Sequence, residues 1–275
     1  MSDRLLWDRL ERSLAERIEK FPGVAGISVK DLSRGLVISV NGGEIFPTAS
    51  TIKIHVLTQL LVRAERKELD LETRVTVSPE MRVPGSGILA QLHGEVDLTV
   101  LNLAVLMIAL SDNTATNLCI DMAGMDDTNT LLRELGLEKT NLRRKMLDTE
   151  SIARGDENVS TPDECVAMLE LLYRGRPSVE VARQCLEILK SPKEGPLNRA
   201  LPGVPLANKP GYMGGVYCDA GIVYLPGRPY AVAIMSKFGL TNPLQQERAV
   251  IDMARDIHQT MVALDTANEF GLGIP

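Results

Sequence analysis

Ser50 and Lys53 stand three residues apart in the stretch FPTASTIKIHVLTQLL, the spacing at which two side chains share one face of a helix. A hydroxyl and an amine in that register make a nucleophile and its proton acceptor. Pro47 and Thr48 mark entry into a turn, so Ser50 is expected at or near the N-terminus of the following helix, its hydroxyl available as a cap and the positive end of the helix dipole beside it. Ile52, Ile54 and Val56 are apolar, and burial among them disfavours an ammonium and makes a neutral, proton-accepting amine more accessible. A serine that meets such an amine is an activated nucleophile. The plain alternative is that Ser50 only caps and Lys53 only snorkels, because Ser-x-x-Lys on its own is common.

Other chemistry fails on context. Gly85-Ser86-Gly87-Ile88-Leu89-Ala90 fits a dinucleotide-binding glycine pattern, but Pro84 precedes it and no strand–helix–strand unit surrounds it. His93-Gly94-Glu95 resembles the start of a zinc deaminase signature, and no Pro-Cys-x-x-Cys follows. No Gly-x-Ser-x-Gly elbow supports a Ser-His-Asp triad, for which only His55, His93 and His258 are available. Cys119, Cys165, Cys185 and Cys218 are scattered singly, which reads as reduced, structural thiols rather than a metal or redox pair. No metal or cofactor is expected.

The elements that must position these residues follow from periodicity. Leu5, Leu6, Leu10, Leu14 and Ile18 form one stripe of an amphipathic helix, and Phe21-Pro22-Gly23 ends it. VAGISVKDL and LVISVNGG alternate as two antiparallel strands joined at Ser33-Arg34-Gly35. The Ser50 helix runs to about Arg66, the stretch from Leu71 to Val100 is irregular, and an apolar helix then breaks at Ser111-Asp112-Asn113 before another begins. Helices follow at Asp126–Leu135, from Thr161-Pro162 through Tyr173, and at Val179–Leu189, with a long polar loop over residues 136–160. PLANKPGYM, VYCDAGIVYL and YAVAIMSKF read as three further strands, and Leu244–Val262 as a closing helix. Strands at both ends and helices between them imply one sheet drawn from distant parts of the chain.

Composition bounds the partners. The 275 residues are 44% hydrophobic and carry a net charge of -6, enough apolar residues for a large core and no basic field for nucleic acid or an anionic membrane. The first twenty residues interleave charges with apolar residues instead of forming a secretory signal, so a cytoplasmic protein is expected. The oligomeric state is left open.

Three motifs occur together in order. Ser50-Thr51-Ile52-Lys53, then Ser111-Asp112-Asn113 at a helix break, then Lys209-Pro210-Gly211 on a strand resemble the Ser-x-x-Lys, Ser-Asp-Asn and Lys-Thr-Gly set of class A β-lactamases and penicillin-binding proteins. The resemblance to this β-lactamase-like serine hydrolase family covers nearly the whole chain and includes GSGIL, SDNTATNLCID, and a long loop before a Thr-Pro helix start that is similar to the family's omega loop. It implies an α/β (α+β) fold, a five-stranded antiparallel sheet flanked by helices plus a mainly helical lobe. The expected layout is one two-lobed domain over 1–275, with a sheet lobe of about 1–49 and 201–275 and a helical lobe of about 50–200.

The resemblance also implies roles. Ser50 would attack a carbonyl, Lys53 would be its base, and Ser111 would relay a proton to the leaving group. Asn113 would bind a substrate amide, Lys209 would hold Ser111 and add positive potential, and backbone N–H groups of Ser50 and Tyr212, next to Gly211, would form the oxyanion hole. The substrate would be a small-molecule amide, of the β-lactam type, or an ester. Two departures stand out: Pro210 replaces the threonine that helps to bind an antibiotic's carboxylate, and Lys145 or Met146 falls about where class A enzymes carry the glutamate that activates water. Asp148 and Glu150 are substitutes only if the loop takes another path. A carboxylesterase or peptidase with weak or trapped penicillin binding, and a non-catalytic binding protein, are the alternatives.

Overall fold

The computed structural model describes residues 2–239, 243–268 and 270–273. The chain forms two compact units, one of Met1–Thr51, Thr161–Glu170 and Glu194–Pro275, the other of Ile52–Ser160 and Leu171–Lys193. The first unit holds a five-stranded sheet in the order Val37–Val40, Val24–Asp31, Tyr230–Lys237, Val216–Val223, Leu206–Met213. All neighbours are antiparallel, as the alternating runs predict. Leu206–Met213 is therefore an edge strand, and every one of its residues pairs with Val216–Val223, Pro210 lying opposite Asp219.

Helices Ser2–Glu19 and Pro243–Thr266 cover the sheet through a common core. Trp7, Leu10, Leu14 and Ile18 from one, and Val250, Met253, Ala254, Ile257, Met261 and Leu264 from the other, meet Ile27, Val29, Val232 and Ile234. The three- and four-residue spacings keep each set on one stripe, and each fully buried large apolar side chain contributes about 1.5–3 kcal/mol. The N-terminal stripe differs from the expected one: Leu5 is exposed, and Trp7 is buried with its indole N–H donated to the Val37 carbonyl at 3.1 Å. A stripe of period 3.6 drifts, and Trp7, three residues before Leu10, lies closer to its line than Leu5.

The second unit is built on Lys53–Glu65, in which every side chain from Lys53 to Val62 is buried. A helix buried all round needs neighbours on several sides, and Asn113–Ala123, Met125–Glu134 and Val179–Leu189 pack against it. The stretch read as irregular contains a two-stranded ribbon, Arg74–Val77 paired with Val96–Thr99, whose four-residue strands are too short to show a clear alternation. The long polar loop likewise contains a helix, Thr149–Arg154. All four cysteines are buried thiols. Among the described residues no helix is long and apolar enough to cross a membrane.

His55 lies within this central helix, fully buried. Burial lowers its pKa from 6.5 to about 4. The unfolded chain therefore takes up this proton at higher pH than the folded protein, and the stability is complete above 6.5 and declines as pH falls towards 4. The decline from this group should amount to about 3 kcal/mol. Urea unfolding of the wild type and His55→Leu across that range should show a flatter profile for the variant; parallel profiles would contradict the assignment.

Candidate active site

In the first unit, the turn Ala49–Ile52 carries Ser50 ahead of the α-helix that begins at Lys53. Ser50 is thus not the cap of that helix, whose N-cap position is Ile52. Ala49 has a φ of 45°, a left-handed conformation that costs a non-glycine residue of the order of 1–3 kcal/mol and tends to persist where a side chain has to be aimed. Thr51 fastens the turn by donating both its N–H and its hydroxyl to the Thr48 carbonyl, at 3.0 and 2.7 Å.

The edge strand Leu206–Met213 runs against this turn. A Cβ on Gly211 would lie 2.7 Å from the Ser50 nitrogen and 2.8 Å from the Thr48 oxygen, so only glycine allows the approach. Lys209, two residues earlier and on the same face, is buried and donates to the Pro210 carbonyl at 2.8 Å. Tyr212 turns its ring to the opposite face, edge-on to Tyr217 with centroids 5.5 Å apart. Burial and the nearby Asp219 carboxylate push its phenol well above the usual tyrosine range, so it is no base near neutrality. Its backbone N–H remains a donor on this strand.

In the second unit, Lys53 is fully buried, and its amine donates to the Ser111 carbonyl at 2.8 Å, the Ser111 hydroxyl at 3.0 Å and the Asn113 side-chain oxygen at 3.3 Å. Each of these atoms can accept a hydrogen from the amine. The burial expected from the sequence is therefore accompanied by acceptors that local spacing could not show. Asn113 also donates its side-chain N–H to the Pro84 carbonyl at 3.2 Å and its backbone N–H to Ser86 at 3.0 Å. Ser111, at φ 53°, is a second strained residue.

Asp112 holds this geometry in place. It is buried, and its carboxylate accepts from the backbone N–H groups of Ile88 at 2.7 Å, Leu89 at 2.8 Å and Ala115 at 2.9 Å. One side chain thereby caps the helix Asn113–Ala123 and ties down the Gly85–Leu89 turn. A Cβ on Gly87 would sit 2.2 Å from an Asp112 carboxylate oxygen, which explains the glycine there. The glycine pattern that looked like a nucleotide loop is a seat for Asp112.

The loop between residues 136 and 160 is strongly bonded. Asn117, one turn beyond Asn113, accepts from the Met146 N–H at 2.7 Å and donates to the Met146 carbonyl at 3.2 Å. Arg144 is buried and bonds Glu157 at 2.6 Å and the Lys145 carbonyl at 3.0 Å, while Asn158 accepts from the N–H groups of Arg143 and Arg144. Met146 is buried and Lys145 pairs with Asp121 at 2.6 Å. Asp148 caps Thr149–Arg154, accepting from both the N–H and the hydroxyl of Ser151, which hold its carboxyl below the usual range. Glu150 is exposed. Sequence reasoning missed Asp112, Asn117, Arg144, Glu157 and Asn158 as positioning residues; only Asn117 left a trace, its i+4 spacing from Asn113.

Strand, turn and buried amine of this kind are those of a β-lactamase-type fold. The chain matches the model of the beta-lactamase enzyme family over residues 9–261, and it belongs to that family. It is 31% identical over 152 residues to beta-lactamase AER-1 of Aeromonas hydrophila, covering 54% of this chain and 50% of that protein; the chain thus spans about half the length of this curated relative. An ancestral class A beta-lactamase shares the fold with a TM-score of 0.83 and 28% identity, over 91% of this chain and 99% of that one. A PBP-A mutant solved as its acyl-enzyme complex with penicillin G gives 0.83 and 28%, over 92% and 96%.

Asp112→Ala should strip the acceptor from three backbone N–H groups at once, two of them buried, costing about 2–4 kcal/mol on the scale of hydrogen bonds to a charged group. Denaturant unfolding should show that loss, with Asp112→Asn recovering part of it; a variant as stable as the wild type would remove Asp112 from this role.

Proposed function

We propose that the chain is a serine acyl hydrolase that cleaves an amide of the β-lactam type or an ester through a covalent ester on Ser50. The observation that carries the reading is the buried Lys53 amine, three residues after Ser50 and bonded to both the hydroxyl of Ser111 and the side chain of Asn113. Membership of the beta-lactamase enzyme family supports it.

The Ser50 oxygen attacks the substrate carbonyl and its proton passes to Lys53, which must first have released one of its own. Negative charge developing on the carbonyl oxygen is met by the N–H groups of Ser50 and Tyr212, fixed before the reaction begins. Ser111, already bonded to the amine, hands the proton to the leaving nitrogen or oxygen as the acyl bond breaks. Asn113 binds the amide beside the scissile bond, and Lys209 supplies positive potential. Water then attacks the ester, with Lys53 the base a second time, and Ser50 is restored.

The loop supports slow release. Lys145 or Met146 falls about where class A enzymes carry their water-activating glutamate, and neither is a carboxylate: Met146 is buried with its backbone gripped by Asn117, and Lys145 pairs with Asp121; Asp148 is engaged as a cap and Glu150 is exposed. Acylation by a penicillin should accordingly outrun hydrolysis, and aryl esters, whose smaller acyl groups leave room for water to reach Lys53, should turn over better.

Ser50→Ala and Lys53→Ala should each lower aryl-ester turnover by about a thousandfold or more, and the double variant should lose little beyond either one, because both serve one step. Turnover of Ser50→Ala at the wild-type rate would end the nucleophile assignment. Met146→Glu, which leaves the Asn117 contacts to the backbone in place, should shorten the lifetime of a penicillin adduct by about tenfold or more if a general base is what release lacks. An adduct of unchanged lifetime would place the block elsewhere.

A further inference from the structure

Two cysteines that stand far apart in the sequence are brought together by the first unit. Val232 and Ile234 turn to the terminal helices, so alternation sends Met235 to the other face of the sheet. Cys218 is its direct partner on the neighbouring strand, and opposed residues of an antiparallel pair hold their side chains side by side. Cys165, on the helix Pro162–Tyr173, reaches the same place, its thiol donating to the Met235 sulfur at 3.9 Å. It lies near enough to Cys218 for its thiolate to oppose ionisation of the other thiol. All three side chains are buried.

Two thiols and a thioether in one place are a set of soft donors, the kind that selects Cu(I). Metal–sulfur bonds of about 2.3 Å set two ligands of a trigonal centre about 4 Å apart, and the Cys165 and Met235 sulfurs already stand at the separation of one such edge. Among the described residues no three His, Cys, Asp or Glu side chains are grouped to hold a metal, so harder ions find no full donor set. Cys218 spends its hydrogen on the Pro47 carbonyl at 3.3 Å, which leaves the lone pairs of its sulfur to its neighbours. Cys165 closes the first turn of its helix, where the positive end of the dipole favours a thiolate. Burial pushes the Cys218 thiol well above its ordinary range, so it stays protonated until a metal displaces the proton.

We infer that Cys165, Cys218 and Met235 form a trigonal site for one Cu(I) ion. The ion replaces the two thiol protons, which leave to solvent, and is bonded by two thiolate sulfurs and the Met235 thioether; no electron is transferred. The site lies within the first unit and is independent of the serine-hydrolase reading. Entry to buried donors requires local opening of the fold, so loading is followed until it is complete.

The test is anaerobic titration of the protein with Cu(I) buffered by bicinchoninate, read by native mass and, on the loaded protein, by X-ray absorption at the copper edge. The wild type should take up one Cu(I) per chain and show three sulfur neighbours. Cys165→Ala and Cys218→Ala should each weaken binding by more than about a hundredfold, beyond the cost of losing a group that only orients a ligand. Met235→Leu, which nearly conserves the side-chain volume, should leave two sulfur neighbours and weaken binding by about tenfold. A double variant, Cys119→Ala with Cys185→Ala, removes the other two thiols and should bind as the wild type does. Thermal unfolding without metal establishes that each variant is folded, and the wild-type sulfur count stands without them. A wild type that yields all its copper to bicinchoninate or shows fewer than three sulfurs, undiminished affinity in folded Cys165→Ala or Cys218→Ala, or an unchanged sulfur count in Met235→Leu would overturn the inference.

Discussion

A buried amine has to be met by acceptors, and much of the second unit follows from that requirement at Lys53. Leaving an ammonium unpaired in the interior costs several kcal/mol. Ser111 meets it with both a carbonyl and a hydroxyl, which demands a chain reversal at the helix break and a left-handed Ser111. Asn113 meets it from the first turn of the next helix. Strain at Ser111 persists because Asp112, bonded to three backbone N–H groups, holds both sides of the break. The Gly85–Leu89 turn is drawn in by the same carboxylate. A hydroxyl and an amine in contact, each with its orientation enforced by neighbours, is what proton relay requires.

The first unit works by close approach of backbones. A five-stranded sheet with its apolar face covered by the terminal helices makes a rigid edge, and Gly211 lets that edge come within contact distance of the Ser50 nitrogen. Oxyanion stabilisation depends on donors that do not have to reorganise, and N–H groups on a paired strand and on a fastened turn meet that condition. Pro210 is compatible with the ladder because the strand is an edge.

How far the residues foretold this differs by level. The five strands, the terminal helices and the long helix after Ser50 were legible because alternation and 3.6-residue stripes are imposed by burial on one face. The ribbon Arg74–Val77 with Val96–Thr99 was not, since four residues cannot establish a period and the pairing is made across the eighteen residues between the strands. Ser50, Lys53, Ser111, Asn113, Lys209, Gly211 and Tyr212 are proposed as a set from ordered motifs; within the two units the structure describes the bonds of Lys53 to Ser111 and Asn113 and the approach of Gly211 to the Ser50 backbone. Their partners were harder to see: Asp112 lies within the second motif but its bonds to Ile88 and Leu89 run to a distant glycine turn, Asn117 reaches twenty-nine residues to Met146, and Arg144 pairs with Glu157 inside a loop that reads as long and polar. Contacts that distant in sequence leave no local pattern. Ser50 as a helix cap was a reasonable inference from Pro47 and Thr48, and the extra turn Ala49–Ile52 displaced it.

The central claim is that Ser50 carries the acyl group, and intact mass reads it most directly. Wild type and Ser50→Ala are mixed with penicillin and followed from minutes to hours. A mass increase equal to one penicillin on the wild type alone, persisting over that period, is the predicted result. An adduct on Ser50→Ala of the same mass and rate, or rapid steady hydrolysis by the wild type with no adduct at any time, would contradict the account: the first in its nucleophile, the second in its claim that the loop holds no base for release.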